Sequence, residues 1–484
     1  MSTVAPQQSA LQAVAFDAAL ISRLDRPGPR YTSYPTADRF DENFGYRDYL
    51  QAVAGLRTHG SRHPLSLYVH IPFCDTVCYY CACNKIVTRD RSKAVTYLGY
   101  LKREIEMQGQ LFAGMNRLEQ LHFGGGTPTY LTDLQMGDLM AHLQRWFEFA
   151  PDALGEYSIE VDPRTVSPDR VRTLRQQGFN RISLGVQDFD ADVQRAVNRI
   201  QPHRQTIDII DAARSAGYRS ISVDLIYGLP LQTLESIGRT LDLVTAAAPD
   251  RIAFYNYAHL PQRFKPQRRI NEADLPSPAS RLDMLSLCID RLGAAGYVYI
   301  GMDHFARPDD ALALAQQQGR LHRNFQGYST HADADLVACG VSAISAVANT
   351  YSQNHKTLDA YYDCLDNNSL PTARGIRLGM DDLLRRFIIQ RLMCNFELSL
   401  ASIEQGYSIT FTTYFASELA QLRVLEADGL LSIDAQWLSV TPKGRLLIRA
   451  ICMVFDRYLR SGAAPPAVGS APGVPRPAQF SRTI

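Results

Sequence analysis

The sequence lacks any apolar run near the ~18 residues of a membrane-spanning helix, so we expect no membrane span. Its N-terminus lacks a basic stretch followed by an apolar core, which predicts no signal peptide and a cytoplasmic protein. The sequence also lacks an excess of either charge: it has 50 Lys and Arg residues and 49 Asp and Glu residues, which gives a formal charge of +1. This balance argues against a surface dominated by nucleic-acid binding. No heptad run indicates assembly, and we expect a monomer.

Cysteine is also scarce, with nine in 484 residues, yet four fall within HIPFCDTVCYYCACN (70–84) as Cys74, Cys78, Cys81 and Cys83. Thiols that stay reduced in the cytoplasm more often bind metal or react than form disulfides. Structural zinc usually takes two ligand pairs roughly a dozen or more residues apart, and the other five cysteines are isolated. The first three instead form C-x3-C-x2-C, and three thiolates leave one iron of a four-iron cluster open. We favour an iron–sulfur cluster over zinc.

Strand and helix patterns alternate after the cysteines, with β-like runs at 118–123, 157–162, 181–187, 220–230 and 251–260. Helical patterns at 167–178 and 203–217 lie between them, the second ending at Gly217 as a C-cap. Successive βα units indicate a parallel sheet that closes as a barrel or partial barrel. The active site of such a fold lies at the C-terminal strand ends. Glu160, Gln187 and Asp224 sit there; singly each is as readily a strand-end cap or ion-pair partner, but together they predict a shared site.

Three glycines, Gly124 to Gly126, follow the first of these strands. Glycine turns are common, so the bare pattern is weak. It matches neither a phosphate loop nor G-x-G-x-x-G. Directly after a strand, however, it lets a ligand approach the backbone with no Cβ in the way.

The C-x3-C-x2-C spacing, with the aromatic Tyr80 before the third cysteine, resembles the radical S-adenosylmethionine enzymes. The superfamily implies an α/β fold, a partial TIM-like (β/α) barrel. It also implies a [4Fe-4S] cluster whose open iron binds the amino and carboxylate groups of S-adenosylmethionine. An electron from the cluster then yields a 5′-deoxyadenosyl radical, and the GGGTPT strand end would hold the methionyl amine.

A closer resemblance rests on RYTSYPTADRF, YVHIPFCDTVCYYCACNK, IEVDPR, RISLGVQDF, VNRIQPHR, VDLIYGLPLQT, YIGMDHFARPDD and GVSAIS, which occur in this order. Across about residues 28–460 the chain is similar to the oxygen-independent coproporphyrinogen III oxidase family. The family implies oxidation of two propionates of coproporphyrinogen III to vinyl groups, giving protoporphyrinogen IX. It further implies two S-adenosylmethionine molecules per protein and an electron donor such as a flavodoxin-type reductant.

The same resemblance assigns residues. Cys74, Cys78 and Cys81 would hold the cluster, while Cys83 would be needed for activity without binding iron. The first S-adenosylmethionine would be contacted by Tyr68 (also assigned to catalysis), Gly125, Glu160 and Ile344. The second would be contacted by Tyr80, Gly126, Thr127, Gln187, Arg199, Asp224 and Ala258. Ile344 and Ala258 rest on the resemblance alone. Arg30 and Arg307 are our candidates for binding substrate propionates, although surface arginines are more often simply solvated.

A second domain follows the barrel. Its order of helix, short hairpin and helix resembles a winged helix, yet residues 381–460 carry nine Lys or Arg and nine Asp or Glu. Because that balance leaves no basic footprint for DNA, we expect a lid or packing domain. The predicted division is an N-terminal extension (1–27), an arm over the active site (28–60), the barrel with its extension (61–375), the smaller, mainly helical domain (376–460) and a disordered tail (461–484).

Two rival functions are compatible with parts of the sequence. Haem chaperones of the same superfamily bind and transfer haem without performing the oxidation. They retain the three-cysteine motif but typically lack the fourth cysteine and the N-terminal arm, which are present here as Cys83 and residues 30–36. The enzyme is therefore favoured. A structural zinc module with a regulatory winged helix fits the strand-end motifs poorly.

Overall fold

The computed structural model describes residues 14–58, 63–460 and 480. The predicted disordered tail, apart from residue 480, and the first 13 residues of the predicted N-terminal extension lie outside this described part. Internal contacts divide the chain into a larger unit (Phe40–Arg291 and Asp333–Arg377) and a smaller unit (Met1–Arg39, Leu292–Ala332 and Leu378–Ile484). Among the described helices, none combines the length and apolarity needed to cross a membrane.

A single sheet organises the larger unit. Its strands are hydrogen-bonded in the order Arg251–Asn256, Ser220–Tyr227, Arg181–Gln187, Glu156–Val161, Arg117–Gly125, Leu65–Ile71, Asp335–Cys339, Ile344–Val347, Thr350–Asn354 and Thr372–Arg377. The first seven pair in parallel and the last three add antiparallel. Short strands lie at Glu148–Phe149, Phe73–Cys74 and Ile86–Val87. Within the described residues of this unit the strand order does not close on itself, so the sheet is a partial barrel.

Helices precede, connect and follow these strands. They span Tyr46–Thr58, Ser92–Leu111, Asp133–Trp146, Pro168–Gln176, Ala191–Ala196, His203–Ser215, Leu234–Ala247, Pro278–Ala294 and Leu358–Asp366, with 3-10 turns at Pro128–Tyr130, Pro163–Thr165, Lys265–Arg269 and Glu272–Asp274. Local sequence sets their starts. Thr132 and Gln135 form a capping box before Asp133–Trp146, and the Ser167 side chain accepts a bond from the backbone N–H of Arg170.

Side chains alternate along the central strands. In Ser220–Tyr227, Ile221, Val223 and Leu225 are buried, whereas the intervening Ser222 and Asp224 keep partial exposure. The alternation follows from the two-residue period of a strand. It gives the sheet one apolar face and one face with polar positions.

The predicted strands and helices are confirmed, with corrections at their ends. The run predicted as 220–230 ends at Tyr227, because Gly228 has φ +82° and Pro230 follows. The run predicted as 251–260 ends at Asn256. Gly217, predicted as a C-cap, follows helix His203–Ser215 with φ +79°. The antiparallel strands between residues 344 and 377 were not predicted.

The smaller unit is mainly helical. Its helices span Ala18–Leu24, Ala311–Gln317, Met380–Asn395, Leu400–Tyr407, Phe411–Tyr414, Ala416–Ala427, Pro442–Leu446, Ile448–Phe455 and Arg457–Arg460, with a 3-10 turn at Ala37–Arg39. Two hairpins pair Val298–Gly301 with His304–Ala306 and His322–Asn324 with Gly327–Ser329. The predicted order of helix, hairpin and helix is present, and the hairpin (Leu431–Ile433 and Trp437–Val440) gains a third strand, Glu397–Ser399.

The unit boundaries differ from the predicted division. Leu292–Ala332, predicted as part of the barrel domain, belongs to the smaller unit. The reason is side-chain bonding to helix Met380–Asn395: Gln316 Nε2 donates to the Cys394 carbonyl (2.8 Å), and Arg391 Nη1 donates to the Gly319 carbonyl (2.8 Å). The predicted arm (28–60) is divided between the units after residue 39. Its place over the active site stays a prediction.

Candidate active site

One cavity of the larger unit, of about 690 Å³, is lined by residues at the carboxyl ends of the parallel strands. It brings together twelve of the predicted site residues: Cys74, Cys78, Tyr80, Cys81, Cys83, Gly125, Gly126, Thr127, Glu160, Gln187, Arg199 and Asp224. The convergence follows from parallel pairing, which places all carboxyl strand ends at one edge. Tyr68, Ala258 and Ile344 are not among the lining residues.

Two of these three residues adjoin lining residues. The Tyr68 ring stacks on His122 with centroids 5.9 Å apart, and His122 Nε2 lies 3.1 Å from Glu160 Oε1. Tyr68 is therefore one ring away from Glu160. The Ala258 carbonyl accepts a bond from Gln267 Nε2 (3.2 Å), which also donates to the carbonyl of Tyr80 (3.0 Å).

Ile344 is placed differently. It begins strand Ile344–Val347 and pairs with Gln353 across the antiparallel ladder. Its predicted contact with a cofactor stays a prediction.

The cysteine loop (residues 74–88), which carries the four clustered cysteines, is held by hydrogen bonds at its two ends and along its length. At the base, the backbone N–H of Thr88 donates to the carbonyl of Cys74 (3.0 Å). Further along, the backbone N–H of Tyr79 donates to the carbonyl of Val197 (2.9 Å) and Asn198 Nδ2 donates to the carbonyl of Val77 (2.7 Å). These bonds hold the thiols to the wall of the cavity.

The thiols have different surroundings. Burial raises the pKa of Cys74 to about 11, while its sulfur lies 3.4 Å from Thr127 Oγ1. The hydrogen bond from Cys83 lowers the pKa of Cys81 to about 5, and the same bond raises the pKa of Cys83. Within this pair Cys81 is the more readily deprotonated thiol, with Cys83 as its hydrogen-bond donor.

The thiol set fits an iron–sulfur cluster. Among the described residues, no three His, Cys, Asp or Glu side chains converge on the position of one ion. Cys74, Cys78 and Cys81 instead line one cavity at separate positions. A cluster takes each thiolate on a different iron, so separated thiols suit it better than they suit a single zinc ion.

The glycine-rich strand end forms a cradle beside Glu160. Gly125 has φ +115°, and a Cβ there would lie 2.6 Å from the His70 ring, so only glycine fits. Its backbone N–H donates to Glu160 Oε2 (3.2 Å). The Glu160 side chain keeps 43% exposure, which leaves its carboxylate able to accept bonds from a ligand's ammonium group.

Asp224 and Gln187 form the next part of the wall. Burial first, and then the charge of Glu160, raises the pKa of Asp224 to about 7, although Ser183 Oγ donates to it (3.4 Å). Gln187 ends its strand with φ +69°, next to a register shift after Gly185. Such irregularities re-aim side chains at functional sites.

Arg199 is buried and shares a carboxylate that the sequence reasoning did not single out. Its Nη1 donates to Asp162 Oδ2 (3.1 Å) and its Nη2 to the Gly185 carbonyl (2.5 Å). Arg164 donates to the same carboxylate through Nη2 (2.7 Å). Burial opposes it, but the charges of Arg199 and Arg164 hold the pKa of Asp162 low. The sequence feature that could have identified Asp162 is its position directly after a predicted strand, in IEVDPR.

Arg199 also retains binding capacity. Its Nε has no partner within the described part of the chain. Nη2 carries two hydrogens, and only one bond is made to Gly185. The Nε–H is therefore a buried donor whose hydrogen bond is unsatisfied.

The two cations predicted for substrate propionates are engaged in ion pairs of the smaller unit. Arg30 pairs with Asp303, and Arg307 Nε lies 3.2 Å from Asp309 Oδ1. Their predicted role stays a prediction.

Comparison with known proteins gives consistent matches. Residues 68–244 match the Radical SAM superfamily and residues 380–447 the HemN C-terminal domain. An oxygen-independent coproporphyrinogen III oxidase of Pseudomonas aeruginosa is 53% identical over 451 residues, covering 93% of this chain and 98% of that protein. The Escherichia coli protein of the same name is 51% identical over 474 residues, covering 98% and 100%.

A solved structure is also similar. It is the coproporphyrinogen III oxidase (HemN) from Escherichia coli, described as a radical SAM enzyme. Its TM-score is 0.88 at 51% identity, with 92% of this chain and 100% of that chain covered. The predicted fold class, a partial (β/α) barrel with a smaller helical C-terminal domain, is confirmed.

Proposed function

The chain belongs to the oxygen-independent coproporphyrinogen III oxidase family, and from that membership we propose its reaction. It oxidatively decarboxylates two propionates of coproporphyrinogen III to vinyl groups without oxygen, giving protoporphyrinogen IX. It is a radical S-adenosylmethionine oxidoreductase. The proposal is carried by one observation: the C-x3-C-x2-C thiols, the glycine-rich strand end and the strand-end acids line the same cavity.

The chemistry requires a cofactor. A propionate Cβ–H bond is too strong for acid–base catalysis, so a radical is needed. When bound, the cluster and S-adenosylmethionine supply it as 5′-deoxyadenosyl. Removal of one Cβ hydrogen, loss of CO2 and departure of one electron to an acceptor together leave the vinyl group. The chain's own residues bind, orient and enclose the reactants.

We assign the cluster to Cys74, Cys78 and Cys81, which the separated thiols support. For the first S-adenosylmethionine, Glu160 would bind the ammonium group beside the backbone of Gly125. The partial exposure of the Glu160 carboxylate supports this role. Tyr68 would support Glu160 through the His122 ring, and Ile344 is carried by family membership alone.

For a second S-adenosylmethionine we assign seven further residues: Tyr80, Gly126, Thr127, Gln187, Arg199, Asp224 and Ala258. Arg199 lines the cavity and has an unsatisfied Nε–H donor, which supports a bond to the carboxylate of that molecule. Asp224 would accept bonds from its ribose hydroxyls or pair with a cation. Two propionates are oxidised per substrate, so two bound molecules supply both radicals within one binding event.

Equilibrium binding tests this count. The anaerobically reconstituted wild type should bind two S-adenosylmethionine molecules. Arg199→Lys should bind one, because lysine has no planar fork. One molecule per protein in the wild type, unchanged in Arg199→Lys, would rule out the second site and leave Arg199 as a clamp for a substrate propionate.

An anaerobic assay with reductant, S-adenosylmethionine and coproporphyrinogen III, followed by product mass analysis, tests the reaction. Cys83→Ser should keep its iron yet lose product, because the proposed ligands remain while the donor to Cys81 changes. Cys364→Ser is a matched control, since Cys364 lies on helix Leu358–Asp366 and does not line the cavity. Stoichiometric haem binding by the wild type without turnover would instead favour the haem chaperone.

Three further proposals complete the function. A flavodoxin-type reductant would supply electrons to the cluster. The protein would act in the cytoplasm, which nine free cysteines support. We also propose a monomer, and sedimentation of the full chain tests it.

A further inference from the structure

We propose that Arg164 and Arg199 form a cationic pair on the Cys78 sulfur and set the reduction potential of the cluster. The inference rests on the proposed ligation by Cys74, Cys78 and Cys81. Arg164 Nη2 lies 3.5 Å from Cys78 Sγ, and Arg199 Nη1 lies 3.6 Å from it. Both guanidinium groups donate to this sulfur.

The pair is built into the wall of the cavity. Asp162 accepts from Arg164 Nε (3.0 and 3.2 Å) and Nη2 (2.7 Å), and from Arg199 Nη1 (3.1 Å). Its backbone continues into the turn Pro163–Thr165, and Asp162 Oδ1 caps that turn through the N–H of Arg164. Side-chain exposures of 10% for Asp162, 19% for Arg164 and 7% for Arg199 show a largely enclosed group. One carboxylate therefore orients two cations toward one thiol.

This arrangement leaves positive charge beside Cys78. Two guanidinium groups and one carboxylate sum to one net positive charge. Cys74 meets a neutral hydroxyl, that of Thr127. The Cys74 and Cys78 sulfurs are thus electrostatically unequal.

The charge acts on the electron that enters the cluster. Reduction adds negative charge, which spreads onto the sulfur ligands. Charge-assisted N–H···S bonds stabilise that reduced state more than the oxidised state, because their strength grows with the charge on the acceptor. Hydrogen bonds to the sulfurs are among the factors that set cluster potentials. The arginine pair should raise the potential and make reduction by a cellular donor easier.

Arg164 is the residue to change, because Arg199 also has a proposed role in cofactor binding. Arg164→Met removes the charge and the donor while keeping an unbranched apolar side chain in place of the arginine stem. The matched control is Arg170→Met. Arg170 lines the same cavity with the same 19% side-chain exposure, but it bonds Asp133 and the Thr165 carbonyl instead of a cysteine.

The measurement is a redox titration of the reconstituted full chain, followed by electron paramagnetic resonance, with iron content as the loading check. The titration contains no substrate, so the midpoint potential can be interpreted even if the protein does not oxidise coproporphyrinogen III. We expect Arg164→Met to load like the wild type and to show a more negative midpoint potential, with Arg170→Met unchanged. Arg164→Gln keeps a neutral N–H donor, so its midpoint potential should lie between those of the wild type and Arg164→Met. It replaces Arg164→Met in the test if that variant binds too little iron. Wild-type potentials in both Arg164 variants, or an equal shift in Arg170→Met, would overturn the inference.

Discussion

Replacing Gly126 by alanine should damage both stability and cluster loading. An alanine Cβ would lie 2.7 Å from the carbonyl carbon and oxygen of Pro72 and 2.8 Å from the carbonyl oxygen of Phe73. Ordinary contacts begin near 3.4 Å, so the contacts are about 0.6–0.7 Å too short. All three atoms are backbone, and the bonds of Gly126 N to Ile71 O and Thr127 N to Phe73 O (both 2.8 Å) hold the segment in place. Overpacking of this kind costs about 1–3 kcal/mol, and more where backbone must shift.

The assay is urea unfolding of the apo protein together with iron content after reconstitution. The control is Gly99→Ala on helix Ser92–Leu111, where the new Cβ meets nothing within 4 Å. Alanine in a helix gains about 0.5–1 kcal/mol over glycine. The unfolding free energy should therefore fall in Gly126→Ala and rise in Gly99→Ala, and the two variants should differ by about 1.5–4 kcal/mol. Because Cys74 directly follows Phe73, Gly126→Ala should also bind less iron. Equal stability and equal iron in both variants would refute the reasoning.

Three further predictions concern other parts of the chain. Cys74→Ser should lose the brown colour and iron after reconstitution, because a hard alkoxide poorly replaces a soft thiolate; full iron content would contradict the ligand assignment. Burial raises the pKa of Glu104 to about 7 from an ordinary 4.5. Between these two pH values the Glu104 carboxyl is protonated in the folded chain and ionised in the unfolded chain. The stability that this proton contributes is therefore lost as pH rises from 4.5 through 7. Relative to Glu104→Gln, the wild type should lose about 3 kcal/mol of unfolding free energy between about pH 5 and pH 8, and a difference independent of pH would contradict this. Arg385→Met should cost about 3–5 kcal/mol in urea unfolding, because it breaks the buried 2.8 Å ion pair between Arg385 and Glu418. Arg385→Met with Glu418→Leu should recover most of the loss, and an equally unstable double variant would contradict the pairing.

Much of the site follows from the sequence because parallel strands bring their carboxyl ends to one edge. Glu160, Gln187 and Asp224 lie far apart in the chain, yet each lies in the carboxyl-terminal half of a recognisable strand, and all three line the cavity. The same reasoning holds for Gly125, which follows the strand pattern of LEQLHF. Regular topology converts local patterns into a shared location.

Other parts depend on distances that no local pattern encodes. Asp162 bonds Arg199 across 37 residues, and only the folded chain shows that both Arg199 and Arg164 reach Cys78. Nothing in the local sequence distinguishes Ile344 from an ordinary residue of the hydrophobic core. The antiparallel strands after residue 344 were missed because their pairing partners are set by the sheet edge rather than by alternation alone.

Strand Leu65–Ile71 has a consequence for the order of events during synthesis. It lies between Arg117–Gly125 and Asp335–Cys339, so one of its edges has no partner until residue 339 has left the ribosome. The cysteine loop begins directly after this strand and is made early, but part of the cavity, including Asp224, is made later. Non-local pairing of this kind forms late. The nascent chain should therefore take up iron only after most of it has been translated, and ribosome-bound chains stalled before residue 335 should carry none.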